Sequence, residues 1–138
     1  MSSGAIFAPV AALALWTCFV LAVTGFRRIR AVQARRCRRD AFRLGESPDV
    51  PDDVCVANRN LMNLLEMPVL FYVVAIALYA THHAGRGFVT LAWIYVALRV
   101  LHSAEHLTTN HVLRRLTLFA ASNVVLATMW IRFVTKVL

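Results

Sequence analysis

Acidic residues are scarce in this chain: 7 Asp and Glu stand against 15 Lys and Arg, and none follows Glu105. That absence bears on the motif His102-Ser103-Ala104-Glu105-His106, which has the H-x-x-E-H order of inverzincin metalloproteases. A catalytic zinc requires a third protein ligand, which those enzymes take from an acid further along the chain. Here none exists, and Arg99, one turn before His102, would repel a dication. No metal is therefore expected. Cysteine is limited to Cys18, Cys37 and Cys55, an odd number without CxxC spacing, so no disulfide framework is expected. Lys and Arg are absent from Met1 to Phe7 and arrive only after the first apolar run, which suits an uncleaved anchor better than a signal peptide. Aromatics are missing from the arginine-rich stretch except Phe42, which argues against nucleic acid as its partner.

What the chain does have is apolar length. With 59% hydrophobic residues and a mean hydropathy of +0.63, its 138 residues read as one all-α membrane domain. Four segments, about 5–26, 57–80, 87–107 and 112–137, approach the roughly 20 residues that cross a bilayer. Between the first two lies a basic connection, 27–53, in which Arg27, Arg28, Arg30, Arg35, Arg36, Arg38, Arg39 and Arg43 accompany Asp40, Glu46, Asp49, Asp52 and Asp53. By the positive-inside rule this connection is cytoplasmic and both termini are not. Anionic lipid headgroups are the expected partners of its arginines. The first helix is expected to run past Arg27 until Gly45 and Pro48 stop it, with Asp52 or Asp53 capping the next. The His82-His83 pair and Gly85-Arg86-Gly87 are expected to form the short outer turn, glycine allowing the tight reversal, and Asn110 or Thr109 to cap the last helix.

Two polar bands interrupt the apolar segments. Arg59, Met62, Asn63 and Glu66 share one helical face at i, i+3, i+4 and i+7, and Pro68 follows, where it removes a hydrogen bond to the Leu64 carbonyl and kinks the helix. Arg99, His102, Ser103 and His106 repeat the same spacing in the third segment. An ionised side chain in hydrocarbon costs roughly 2.5 to 3.5 kcal/mol on insertion scales, so each band needs a protein or ligand partner. Counted from the ends of antiparallel helices, Glu66 and Arg99 lie at one depth, roughly 12 to 13 Å, and are expected to interact. Arg115, in the first turns of the last segment, approaches the same bands, whereas Arg132 and Lys136 can snorkel outward at its far end. Two readings stay open: a structural polar seam that glues helices together, or a site whose surplus of cations holds an anionic, zwitterionic peptide-like ligand.

These residues resemble the MAPEG family, the membrane-associated proteins of eicosanoid and glutathione metabolism. Its second helix carries Arg-x-x-Arg-Asn-x-x-Glu followed by Pro, matched by Arg59, Asn63, Glu66 and Pro68; its third carries Arg-x-x-His-x-x-x-Tyr, matched by Arg99 and His102. An Arg at the start of its fourth helix aligns with Arg115. Four positions depart from the pattern: Met62 replaces the second Arg, His106 stands at the Tyr, Leu116 follows Arg115 where some members have Ser, and Pro68 comes two residues after Glu66 rather than about four. The resemblance covers the whole chain. It implies a homotrimeric four-helix bundle that binds glutathione as co-substrate between subunits through Arg59, Asn63, Glu66, Arg99, His102 and His106. It further implies transferase or peroxidase activity on a hydrophobic small-molecule substrate, with Arg115 catalytic. Likeness to bacterial-type members implies the bacterial inner membrane.

Overall fold

The computed structural model describes residues 3–43, 45 and 47–137; Glu46, one of the acids of the basic connection, lies outside them. The described residues form five α-helices, namely α1 Phe7–Gln33, α2 Asp52–Glu66, α3 Pro68–Ala80, α4 Arg86–Leu107 and α5 Val112–Val137, with short 3-10 turns at Ser3–Ile6 and Arg39–Phe42. Because Met67 keeps helical dihedrals (φ −63°, ψ −35°), α2 and α3 make one span, and the bundle has four helices long and apolar enough to cross a membrane. Regular α-helix is interrupted at Met67 alone, one residue before Pro68, whose missing N–H removes a hydrogen bond there.

The first helix stops earlier than its composition suggests. It runs on past Arg27 only to Gln33, because Arg35 turns left-handed (φ 53°) and the end closes on itself. Arg36 N–H donates to Ala31 O at 2.9 Å and Arg35 N–H to Val32 O at 3.0 Å, the two bonds of a Schellman turn. The reversal after α3 follows the same scheme, with His82 (φ 60°) in the left-handed position and His83 N–H donating to Leu78 O at 2.9 Å. The turn thus falls at His82-His83 and Gly85 as expected, but Gly85 is extended (φ −76°, ψ 170°), so the left-handed position belongs to His82 rather than to a glycine. Neither acid caps α2: Pro51 is its N-cap residue, and Asp53 turns away to Arg36, with which it forms two hydrogen bonds of 2.6 and 3.3 Å. That carboxylate holds the Arg36 guanidinium above its ordinary pKa.

Packing centres on α4, which touches α1, α2 and α5. Its buried positions, Phe88, Val89, Ala92, Tyr95, Val96, Arg99, His102, Ser103 and His106, form one continuous stripe of helical period. The outer half of that stripe is apolar, with Tyr95 stacked on Phe71 at 4.7 Å. The other half is polar. Arg27 ties this end together, donating from Nη1 to Asp53 O at 2.9 Å and from Nη2 to Leu107 O at 3.5 Å, so the end of α4 lies beside the arginine-rich connection. At the opposite end Arg132 and Lys136 lie over the Phe88 ring, at 5.9 and 5.6 Å.

Buried hydrogen bonds of Thr24 and Asn60 pin α2 to its neighbours, Asn60 Nδ2 also reaching Ser103 O at 3.4 Å. Thr24 Oγ1 donates to Ala57 O at 3.2 Å, and Asn60 Nδ2 donates to Ser103 Oγ at 2.8 Å. Between membrane helices such bonds average about 0.6 kcal/mol. In a double-mutant cycle of chemical unfolding, Asn60→Ala and Ser103→Ala should therefore show a coupling of about that size, and simple additivity would mean that the bond contributes nothing. The placement of all eight connection arginines at one end yields a second expectation. In a variant with Cys18 and Cys55 changed to Ser, a membrane-impermeant thiol reagent outside intact cells should leave Cys37 unmodified; labelling there would invert the topology.

Candidate functional site

The polar half of the α4 stripe faces α2 and the first turns of α5. Arg99 is fully buried, and one of its nitrogens, Nη2, donates to the carbonyl of Asn63. That acceptor lies one residue before the carbonyl that Pro68 leaves without its usual donor. The guanidinium also lies 5.5 Å from the centre of the Phe119 ring, a cation–π contact. Its remaining nitrogens, Nε and Nη1, are buried without a hydrogen-bond partner.

His102 is held by α5. Its Nδ1 lies 3.0 Å from the Arg115 carbonyl, an arrangement that makes Nδ1 the donor and leaves Nε2 as the free ring nitrogen. Nε2 is buried and unpaired, and so are both ring nitrogens of His106, one turn away with its ring 5.9 Å from that of His102. Arg115 is half-buried, bonded through Nη1 to Asn110 Oδ1, with its Nε unpaired. Its neighbour Arg114 is exposed. Asn63, His102, Arg115 and Phe119, with Val112 and Leu116, line a cleft of about 250 Å³ open at the side of the bundle.

The structure thus brings together Asn63, Arg99, His102, His106 and Arg115, and it separates two of the expected residues from them. Arg59 and Glu66 are exposed, on the side of α2 turned away from its buried stripe of Val54, Ala57, Asn60, Leu61 and Leu64. Within one chain Arg99 has a single acceptor, on the α2 backbone, and forms no ion pair with Glu66, whose charge reaches it only at a distance; the ion pairs among the described residues are Arg36–Asp53 and Arg38–Asp40. Asn63 itself sits at the edge of the stripe, its amide donating to Arg59 O at 3.0 Å. Neither Asn110 nor Thr109 serves as the expected cap of α5. Asn110 receives Arg115, while Thr109 and the His111 N–H donate to Glu105 Oε1, so Glu105 closes the α4–α5 turn rather than joining the histidines.

Sequence reasoning did not assign Phe119 or Asn60. Phe119 lies one turn beyond Arg115, and that i+4 spacing from a cation already facing the bands was the available signal. Asn60 stands beside Arg59 in the first polar band, but its function, a bond to Ser103, depends on which way α2 faces, which spacing within one helix does not set.

Chemically, the guanidiniums contribute unpaired donors, while the imidazoles contribute free ring nitrogens of both kinds, His102 Nε2 being an acceptor because Nδ1 donates. Unpaired buried nitrogens on two guanidiniums and two imidazoles converge near one cleft, and a buried polar group without a partner costs about 1 to 3 kcal/mol. An anionic ligand with several oxygens fits such a set, carboxylates most directly, because guanidinium forks match their geometry. The model of the MAPEG family matches residues 6–135 of the chain. Comparisons with curated proteins and with solved structures find no match.

Proposed function

The chain belongs to the MAPEG family and is an integral, multi-pass membrane protein, and from that premise we propose a glutathione-dependent transferase or peroxidase acting on hydrophobic electrophiles. The observation that carries this reading is the convergence of unpaired nitrogens from Arg99, His102, His106 and Arg115 on one side of the bundle. Glutathione offers two carboxylates, an ammonium and a thiol. Arg99 would hold carboxylate oxygens, His102 Nε2 would accept a peptide N–H, His106 would donate to a carboxylate from one ring nitrogen, Asn63 would hold an amide, and Arg115 the thiolate. The ammonium calls for an acid: Glu105 is engaged in the α4–α5 turn, whereas Glu66 lies three residues beyond Asn63 in the same helix. Its exposure on a membrane helix, beside Arg59 and the half-exposed Met62, supports assembly as a homotrimer in which a second copy covers that face and the ligand lies between subunits. The bacterial inner membrane is the proposed location.

A second reading, a non-catalytic member whose polar seam is structural, is favoured by the bonds of Arg99 and His102 to backbone carbonyls, which join helices without any ligand. Glutathione itself separates the two. In thermal unfolding of the detergent-purified protein, glutathione at a hundred times its dissociation constant should add about 2.7 kcal/mol of stability. A mixture of free glutamate, cysteine and glycine should add none. Absence of any shift with glutathione would favour the second reading.

A further inference from the structure

A second groove, sharing no lining residue with the Arg115 cleft, opens where α1 reaches the basic end of the bundle. It has a volume of about 700 Å³ and two kinds of wall. Ala22, Val23 and Phe26, from the apolar part of the first span, form one; Arg27, Arg30 and Arg36 form the other. Its one acid, Asp53, has both carboxylate oxygens occupied by Arg36. Arg30 is exposed, and its guanidinium has no hydrogen bond or ion pair among the described residues. Phe26, 62% exposed, continues the apolar wall toward the surrounding membrane.

We propose that this groove binds one anionic phospholipid, with the phosphate at Arg30, whose guanidinium alone among the three is not engaged, and an acyl chain along Ala22, Val23 and Phe26. The argument is one of matched halves. A soluble anion would satisfy the arginines and leave the apolar wall against water, whereas a zwitterionic lipid would cover the wall and bring its own cation to the arginines. A lipid with a net negative headgroup complements both, and basic pockets beside the cytoplasmic ends of membrane helices select such lipids. Arg27 is less available as a ligand, since two of its nitrogens already hold the ends of α2 and α4.

Native mass spectrometry of the detergent-purified full chain with phosphatidylglycerol tests this. The lipid should stay bound at concentrations at which phosphatidylcholine does not. Arg30→Gln should weaken retention about fivefold, the order expected for one arginine near an anionic surface. Ala22→Trp, at an exposed position, should weaken it by filling the apolar wall while every charge remains. Arg132→Gln, at the opposite end of the bundle, should change nothing. Equal retention of phosphatidylcholine would overturn the proposal, and so would displacement of the lipid by millimolar inorganic phosphate, which would mark a simple phosphate site. Equal losses from Arg30→Gln and Arg132→Gln would mean diffuse charge attraction, and full retention by Ala22→Trp would mean that the acyl wall is not used; either result also overturns it.

Discussion

Changing Arg115 to alanine should lower turnover of a chlorinated aromatic electrophile with glutathione by about a hundredfold, the scale on which removal of one charge-stabilising donor acts, while glutathione affinity falls far less. Arg114→Ala should do little. Adjacent residues point about 100° apart on a helix, and the structure assigns the two arginines to different surroundings: Arg115 half-buried in the wall of the cleft, Arg114 exposed. A thiol of pKa about 8.5 is only a few per cent ionised at neutral pH. A desolvated guanidinium beside it favours the thiolate, so the variant's rate should keep rising with pH toward that value, whereas the unmodified protein should level off earlier. Equal small effects of the two substitutions, as expected if both arginines only contact lipid phosphates, or no conjugation by the unmodified protein, would sink the catalytic assignment.

The second large effect is expected at Arg99, where stability and binding should move apart. Arg99→Met removes a buried guanidinium that has one carbonyl acceptor and two unpaired nitrogens. Exchanging buried charge for a well-packed apolar side chain is often neutral or stabilising by about 1 to 4 kcal/mol. The ligand-free variant should therefore unfold at the same temperature as the parent or a higher one. Its response to glutathione should vanish, because two lost charge-assisted bonds of about 1.5 to 3 kcal/mol each reduce affinity at least about a hundredfold. A marked fall in melting temperature together with an undiminished glutathione shift would identify Arg99 as structural glue. Chemical unfolding and calorimetric titration of the same preparation give both quantities.

Much of this architecture was legible in the residues. The last span, 112–137, coincides with α5, because apolar length decides a membrane helix and helix propensity scarcely enters. Ends fared worse. Arg35 carries no turn signal, yet it adopts the left-handed dihedrals that close α1, and within the turn read at His82-His83 and residues 85–87 it is His82, not a glycine, that turns left-handed. At the site, spacing placed Arg99, His102 and His106 on one face, and α4 buries all three. The face carrying Arg59, Asn63 and Glu66 was also legible as a face. Its direction was not: α2 is steered by Ala57, Asn60, Leu61 and Leu64 into the bundle, which leaves Asn63 at the edge and carries Arg59 and Glu66 round to the outside. Equal depth along two helices therefore did not amount to contact between Glu66 and Arg99.

The two bonds of Arg27 also have a consequence in time. Its acceptors are carbonyls, and the farther, Leu107 O, is separated from it by 80 positions in the chain. At the usual 5 to 20 residues per second of translation, about 4 to 16 s pass between synthesis of the donor and of that acceptor. Until Asp53 is made, 26 positions on, the guanidinium has only water and headgroups as partners. The start of α2 then supplies the first acceptor and the end of the third span the second, so an anchor during insertion becomes, in two steps, a clasp after it.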